Sequence, residues 1–148
     1  TNTMHKVVDE IQRAINIPVL NLLDVVAESL LEKGITKTGL LGTRYTMEEG
    51  FYSAGLAKHG IEVVVPEYKD RDLVHRVIYD ELIKGVILPS SKEEFRCIVN
   101  DLQQKGAQGV VLGCTEIPML IGDDDVSIPV FDTIRLHAKA ALRYALLT

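Results

Sequence analysis

Gly109-Val110-Val111-Leu112-Gly113-Cys114-Thr115-Glu116-Ile117-Pro118 is the stretch whose reading decides the fold. An uninterrupted Val-Val-Leu run between glycines suits a strand covered on both faces, as in a parallel sheet, whereas a half-solvated strand alternates. Pro118 fits the first turn of a following helix, where its missing N–H costs nothing. The stretch therefore reads strand, turn, helix, with a thiol at the strand's carboxyl end.

Similar runs recur outward from it: Ile17-Pro18-Val19-Leu20, Thr38-Gly39-Leu40-Leu41-Gly42, Ile61-Glu62-Val63-Val64-Val65 and Ile128-Pro129-Val130-Phe131. All are predicted strands. The segments between them have helical period. Leu73, Val74, Val77, Ile78 and Leu82 form one stripe over 71–84, and Phe95, Ile98, Val99 and Leu102 form another over 91–105. A further helix is predicted over 4–15. Thr46 with Glu49 and Ser91 with Glu94 have capping-box spacing. Gly34, Gly60 and Gly106 follow charged helix ends, as C-cap glycines do. Val86-Ile87-Leu88, cut short by Pro89, supports no strand prediction. This alternation predicts an α/β fold, a Rossmann-like parallel sheet lobe flanked by helices.

Composition narrows the function. With 148 residues the chain is one domain or two small lobes. The net charge is −5 and the basic residues form no stripe, which argues against nucleic-acid binding. No run of 18 apolar residues argues for a membrane span. Two cysteines, Cys97 and Cys114, far apart and in different contexts, make no disulfide framework, and the expected setting is reduced and cytoplasmic. Thr1 stands in place of an initiator Met, and no strand precedes the first helix pattern, so the expectation is a processed chain or a fragment.

In open parallel sheets ligands sit outside the carboxyl ends of the strands. Three predicted strand ends carry polar or reactive groups: Thr43-Arg44-Tyr45-Thr46, Cys114-Thr115-Glu116 and Asp132-Thr133. Cys114 has the context of a reactive thiol, because backbone N–H groups and a positive helix end favour thiolate. Cysteine is also a small hydrophobe. Cys97, beside Phe95 and Ile98 in an amphipathic stretch, reads as a packing residue. The opening Thr1-Asn2-Thr3-Met4-His5-Lys6 supplies donors that either cap a helix or bind a carboxylate, and His5 reads as a packing or capping histidine.

Four motifs then occur together: Thr1-Asn2-Thr3-Met4-His5-Lys6, Leu41-Gly42-Thr43-Arg44-Tyr45-Thr46-Met47, Gly113-Cys114-Thr115-Glu116-Ile117-Pro118 and Pro129-Val130-Phe131-Asp132-Thr133. In this order and spacing they resemble the aspartate/glutamate racemase family, and its L-aspartate/glutamate-specific branch in particular. The resemblance implies two α/β lobes with an amino-acid substrate between them, no cofactor, no metal, and a homodimer in the full-length form. It implies a pair of residues, usually both Cys, facing each other across the substrate Cα. Cys114 takes the second place, and Thr1 stands where the first Cys is usual. A Thr hydroxyl is a poor base at neutral pH but can donate or relay a proton. Asn2, Thr3 and Thr115 are implied to bind the α-carboxylate, Thr43 and Tyr45 to line the opposite wall, and Glu116 to contact the ammonium group. Arg44 is either a side-chain carboxylate binder or a structural cation, and Lys84 is the nearest match to a carboxylate-holding Lys.

The same resemblance divides the chain into a remnant of the first lobe at 1–33, a second lobe at 34–131 and a helix returning to the first lobe at 132–148. Most of the first lobe is then missing, and the faces of 1–33 and 132–147 turned towards it should be exposed and apolar. The implied function is racemisation of aspartate or glutamate, with the chain a candidate inactive fragment. The rivals are a maleate isomerase, a hydantoin racemase or an arylmalonate decarboxylase, and, from another class, a non-catalytic amino-acid-binding module.

Overall fold

A computed structural model describes residues 1–147. Thr148, the last residue of the expected returning helix, lies outside the described residues. Four strands, β1 (Lys37–Leu41), β2 (Glu62–Val64), β3 (Val110–Leu112) and β4 (Val130–Asp132), form one parallel sheet in the order β2-β1-β3-β4. The decisive stretch behaves as read: all three residues of β3 are buried. Its register aligns Leu41, Leu112 and Asp132 across three strands, so Gly42, Gly113 and Thr133 leave the sheet at one edge.

Helices cover both faces. Between β1 and β2 run α3 (Arg44–Glu48) and α4 (Phe51–Ala57). Between β2 and β3 run α5 (Tyr68–Asp80) and α6 (Pro89–Gln104). Before the sheet lie a 3-10 turn (Thr3–Val7), α1 (Val8–Ala14) and α2 (Leu22–Leu31), and after it α7 (Thr133–Leu147). Two cores result. On one face α2 and α4 pack Leu23, Leu30, Tyr52 and Leu56 against Leu40, Val111 and Phe131, which lie in register. On the other, the stripes of α5 and α6, with Val74, Ile78, Phe95 and Leu102, pack against Leu41, Val110 and Leu112. Alternate residues of a buried strand must serve opposite faces, so both cores need continuous apolar runs.

Several expectations are corrected. Ile17–Leu20 is not a strand: Ile17 is exposed, and no described strand pairs with the segment. The single helix over 4–15 is a 3-10 turn followed by α1. Neither capping box forms. Thr46 lies inside α3, whose N-cap is Thr43, and Ser91 lies inside α6, where its hydroxyl donates to Glu81. Pro89 moves that start earlier, because its fixed φ suits the first turn. The C-cap glycines hold: Gly34, Gly60 and Gly106 have φ of 70°, 75° and 93°, a region costly for any residue with a Cβ. Cys97 is exposed rather than packed, one position off the buried stripe of α6.

Candidate active site

Strand order locates the crevice. From β1 the chain passes to β2 on one side and later crosses to β3 on the other, so the connections diverge between β1 and β3. At such a switch point the strand ends border a cleft. The residues there are Gly42-Thr43 and Gly113-Cys114. Both glycines sit in tight contact. A Cβ on Gly113 would lie 3.1 Å from the Leu41 carbonyl and from the Thr46 methyl, and one on Gly42 would lie 3.2 Å from the Gly113 carbonyl. The Gly113 amide donates to the Leu41 carbonyl across 2.6 Å.

Cys114 is half-buried. Its thiol donates to a Glu116 carboxylate oxygen at 2.9 Å, and the Thr115 hydroxyl donates to the same oxygen at 2.7 Å. Burial first, and the carboxylate second, push the thiol up to about 12. The expectation of a resting thiolate is therefore corrected. The backbone amides of Thr115 and Glu116 do act in the expected direction, lowering it, but burial outweighs them. The following helix is only a 3-10 turn, Ile117–Met119, too short for an appreciable dipole. In return, the thiol's hydrogen bond holds the Glu116 carboxyl below the usual carboxylate range.

Asn2 is buried, and its side chain does not cap the 3-10 turn. Its Nδ2 donates to Thr133 Oγ1 at 3.0 Å, and its Oδ1 accepts from the Tyr52 hydroxyl at 3.0 Å. Thr133 in turn donates to the carbonyl of Leu112, the last residue of β3. Beside this network is an open depression of about 340 Å³ lined by Thr1, Asn2, Thr115, Thr133 and His137, with Leu22, Ile134, Ala138 and Ala141 on its apolar side.

Three of the sequence-predicted residues, Thr1, Asn2 and Thr115, thus share one depression, and Glu116 joins Cys114 to Thr115. Thr3 is exposed at the start of the 3-10 turn and outside the lining. Thr43 occupies the N-cap of α3 on the neighbouring strand end, its hydroxyl 3.4 Å from that of Thr46. Tyr45 is exposed, with its ring edge against His75. Arg44 pairs with Asp72 on α5, and its amide donates to His75 Nδ1, so its present role is to tie α3 to α5. Lys84 lies beside Asp80 at the end of α5. His5 is a packing residue. Its Nδ1 lies 3.0 Å from the Thr1 carbonyl, its ring meets His137 edge-on, and burial lowers its pKa.

The profile of the family described as Asp/Glu/hydantoin racemase matches residues 1–141. The chain belongs to that family. A provisionally named Asp/Glu racemase from Yersinia pestis is 50% identical, superposes with a TM-score of 0.95, and is covered over 64% of its length by 99% of this chain. An aspartate racemase homologue from Pyrococcus horikoshii is 40% identical with a TM-score of 0.90, again over 64% of that protein and 98% of this chain. The broad-specificity amino-acid racemase RacX of Bacillus subtilis is 22% identical over 95% of this chain and 60% of its own length. The chain thus spans about three fifths of the length of these three proteins. In this racemase-family chain, sequence reasoning missed Tyr52 and His137, and it gave Thr133 no partner. Tyr52 carried no signal, since an aromatic in an amphipathic helix reads as core. Thr133 meets Asn2 from 131 positions away, beyond any local pattern.

Proposed function

We propose that this chain supplies one side of the active site of a cofactor-independent racemase acting on aspartate or glutamate. The observation that carries the reading is the Cys114 thiol donating to Glu116 at the carboxyl end of β3, next in sequence to Thr115, which lines the depression with Thr1 and Asn2. The two-lobe division carries over: 1–33 and 132–148 belong with a first lobe, and 34–131 form the second. The working assembly is a cytoplasmic homodimer. The likeness to proteins named for aspartate and glutamate supports the substrate class.

Inversion at Cα needs a proton removed on one face and returned on the other, each by a group within hydrogen-bond reach. A neutral Cys114 is a ready donor on its face. To act as a base it must first lose its proton to solvent as substrate enters, and the substrate ammonium, contacting Glu116, offsets the carboxylate charge that helps hold the thiol neutral. The resulting thiolate takes the α-proton. Thr1 returns a proton on the opposite face and is resupplied from solvent. Asn2 and the Thr115 amide donate to the α-carboxylate, stabilising the negative charge that develops as Cα loses its proton, and Thr3, outside the depression in this structure, would have to turn towards it to join them. Thr43 and Tyr45 close the far wall. Because a hydroxyl loses its proton far less readily than a thiol, Thr1 is rarely available as a base and the two directions are unequal.

The test is exchange of the substrate α-proton with deuterium in the intact protein. Cys114→Ala is expected to abolish exchange; exchange at the wild-type rate would remove Cys114 from the mechanism. Thr1→Cys is expected to speed the D→L direction, and an unchanged direction ratio would exclude Thr1 from the pair.

A further inference from the structure

The hydrogen bonds around Asn2 have only one consistent direction. The Leu112 carbonyl can only accept, so the Thr133 hydroxyl donates to it at 2.8 Å. That proton is then spent, and Thr133 Oγ1 meets Asn2 as an acceptor, which requires Nδ2 on that side. Asn2 Oδ1 must therefore face Tyr52, whose hydroxyl donates. Tyr52 is fully buried, and burial raises its pKa, so it remains a phenol able to donate. Asn2 Nδ2 carries two protons, of which Thr133 takes one. Asn2 and Thr133 both line the depression that also holds Thr1 and Thr115.

We propose that Tyr52 and Thr133 are positioning residues that lock the Asn2 amide in one orientation, so that its second N–H is offered to a carboxylate ligand in that depression. The inference rests on the racemase reading and extends it to residues that act through Asn2. Without the lock, rotating the amide by half a turn would present the carbonyl oxygen to the ligand, an acceptor facing an anion. The chain of bonds begins at the last residue of β3, two before Cys114. The orientation of the carboxylate donor is thereby keyed to the strand that carries the thiol.

The experiment compares KM and kcat for aspartate and glutamate in the intact protein and in Tyr52→Phe, Thr133→Val and Thr133→Ser. Tyr52→Phe and Thr133→Val are each expected to raise KM about tenfold, the effect of one misplaced hydrogen bond to a charged group. Thr133→Ser keeps both the donor and the acceptor and is expected to restore KM to within about twofold of wild type. A purely structural role predicts lower melting temperatures with unchanged KM, and that result overturns the proposal. If Tyr52→Phe does not fold, the Thr133→Val and Thr133→Ser pair decides: equal KM values overturn the lock, and a split between them supports it. A wild-type protein that neither turns over nor binds either amino acid overturns the racemase reading and the lock with it. Normal wild-type turnover with unmoved KM in the variants overturns the lock alone.

Discussion

Cys114 and Glu116 set the acid-base character of the site between them. The folded thiol keeps its proton to about 12, against 9.0 for an unperturbed thiol, so the unfolded chain ionises first as pH rises. Below 9 the thiol is neutral in both states and contributes nothing to pH dependence. From 9 upward it favours unfolding progressively, until the folded thiol also ionises. Urea denaturation at about pH 8 and about pH 10 should therefore show a smaller alkaline loss of stability in Cys114→Ser than in wild type. An equal loss in both would mean that the thiol is not held neutral. Glu116→Gln removes the second cause of the upward push while leaving burial, the larger one, in place. Alkylation of Cys114 by iodoacetamide is expected to become faster in Glu116→Gln at mildly alkaline pH. A slower reaction would show that the carboxylate activates the resting thiol instead of restraining it.

Among the elements, the ends of β1 and β3 approach each other closely. A methyl on Gly113 meets the Leu41 carbonyl, Leu40 and Thr46, all at 3.0–3.1 Å, and a backbone carbonyl in a paired strand yields little. Gly113→Ala is expected to cost about 1–3 kcal/mol by urea denaturation and to displace the turn carrying Cys114; a loss under 0.5 would show the strand ends to be loose. Glycine's role here was not legible from spacing, because Gly42 and Gly113 meet only after the sheet forms. The apolar runs of β1 and β3 and the stripes of α5 and α6 were legible, since the period of each matches its element. Ile17–Leu20 shows where such reading stops: an apolar run becomes a strand only when another strand pairs with it. Cys97 shows the resolution of a helical stripe, where one position separates core from solvent. At the site, Cys114, Thr115 and Glu116 were legible as a strand-end cluster. The ionisation state of the thiol was not, because it depends on burial and on which way the Glu116 side chain turns.

For the whole molecule, the apolar surface is unevenly spread. Along α7, Ile134, Leu142, Tyr144 and Leu146 are exposed, and at the other end of the sequence so are Met4, Val7, Ile11 and Ile17. The 148-residue chain alone is accordingly expected to self-associate and to lack turnover. Sedimentation velocity and a racemisation assay check both, and an active monomer would show that nothing further is needed to complete the pocket. Among the described residues no helix is long and apolar enough to cross a membrane.

The strand order governs what that self-association can look like. The outer strands, β2 and β4, are three residues each. Glu62 opens one and Pro129 immediately precedes the other. Short margins bearing a charge or a proline make poor templates for further strands. Assemblies of this chain should therefore grow through helix faces, remain rich in helix by circular dichroism, disperse on dilution and leave thioflavin T dark.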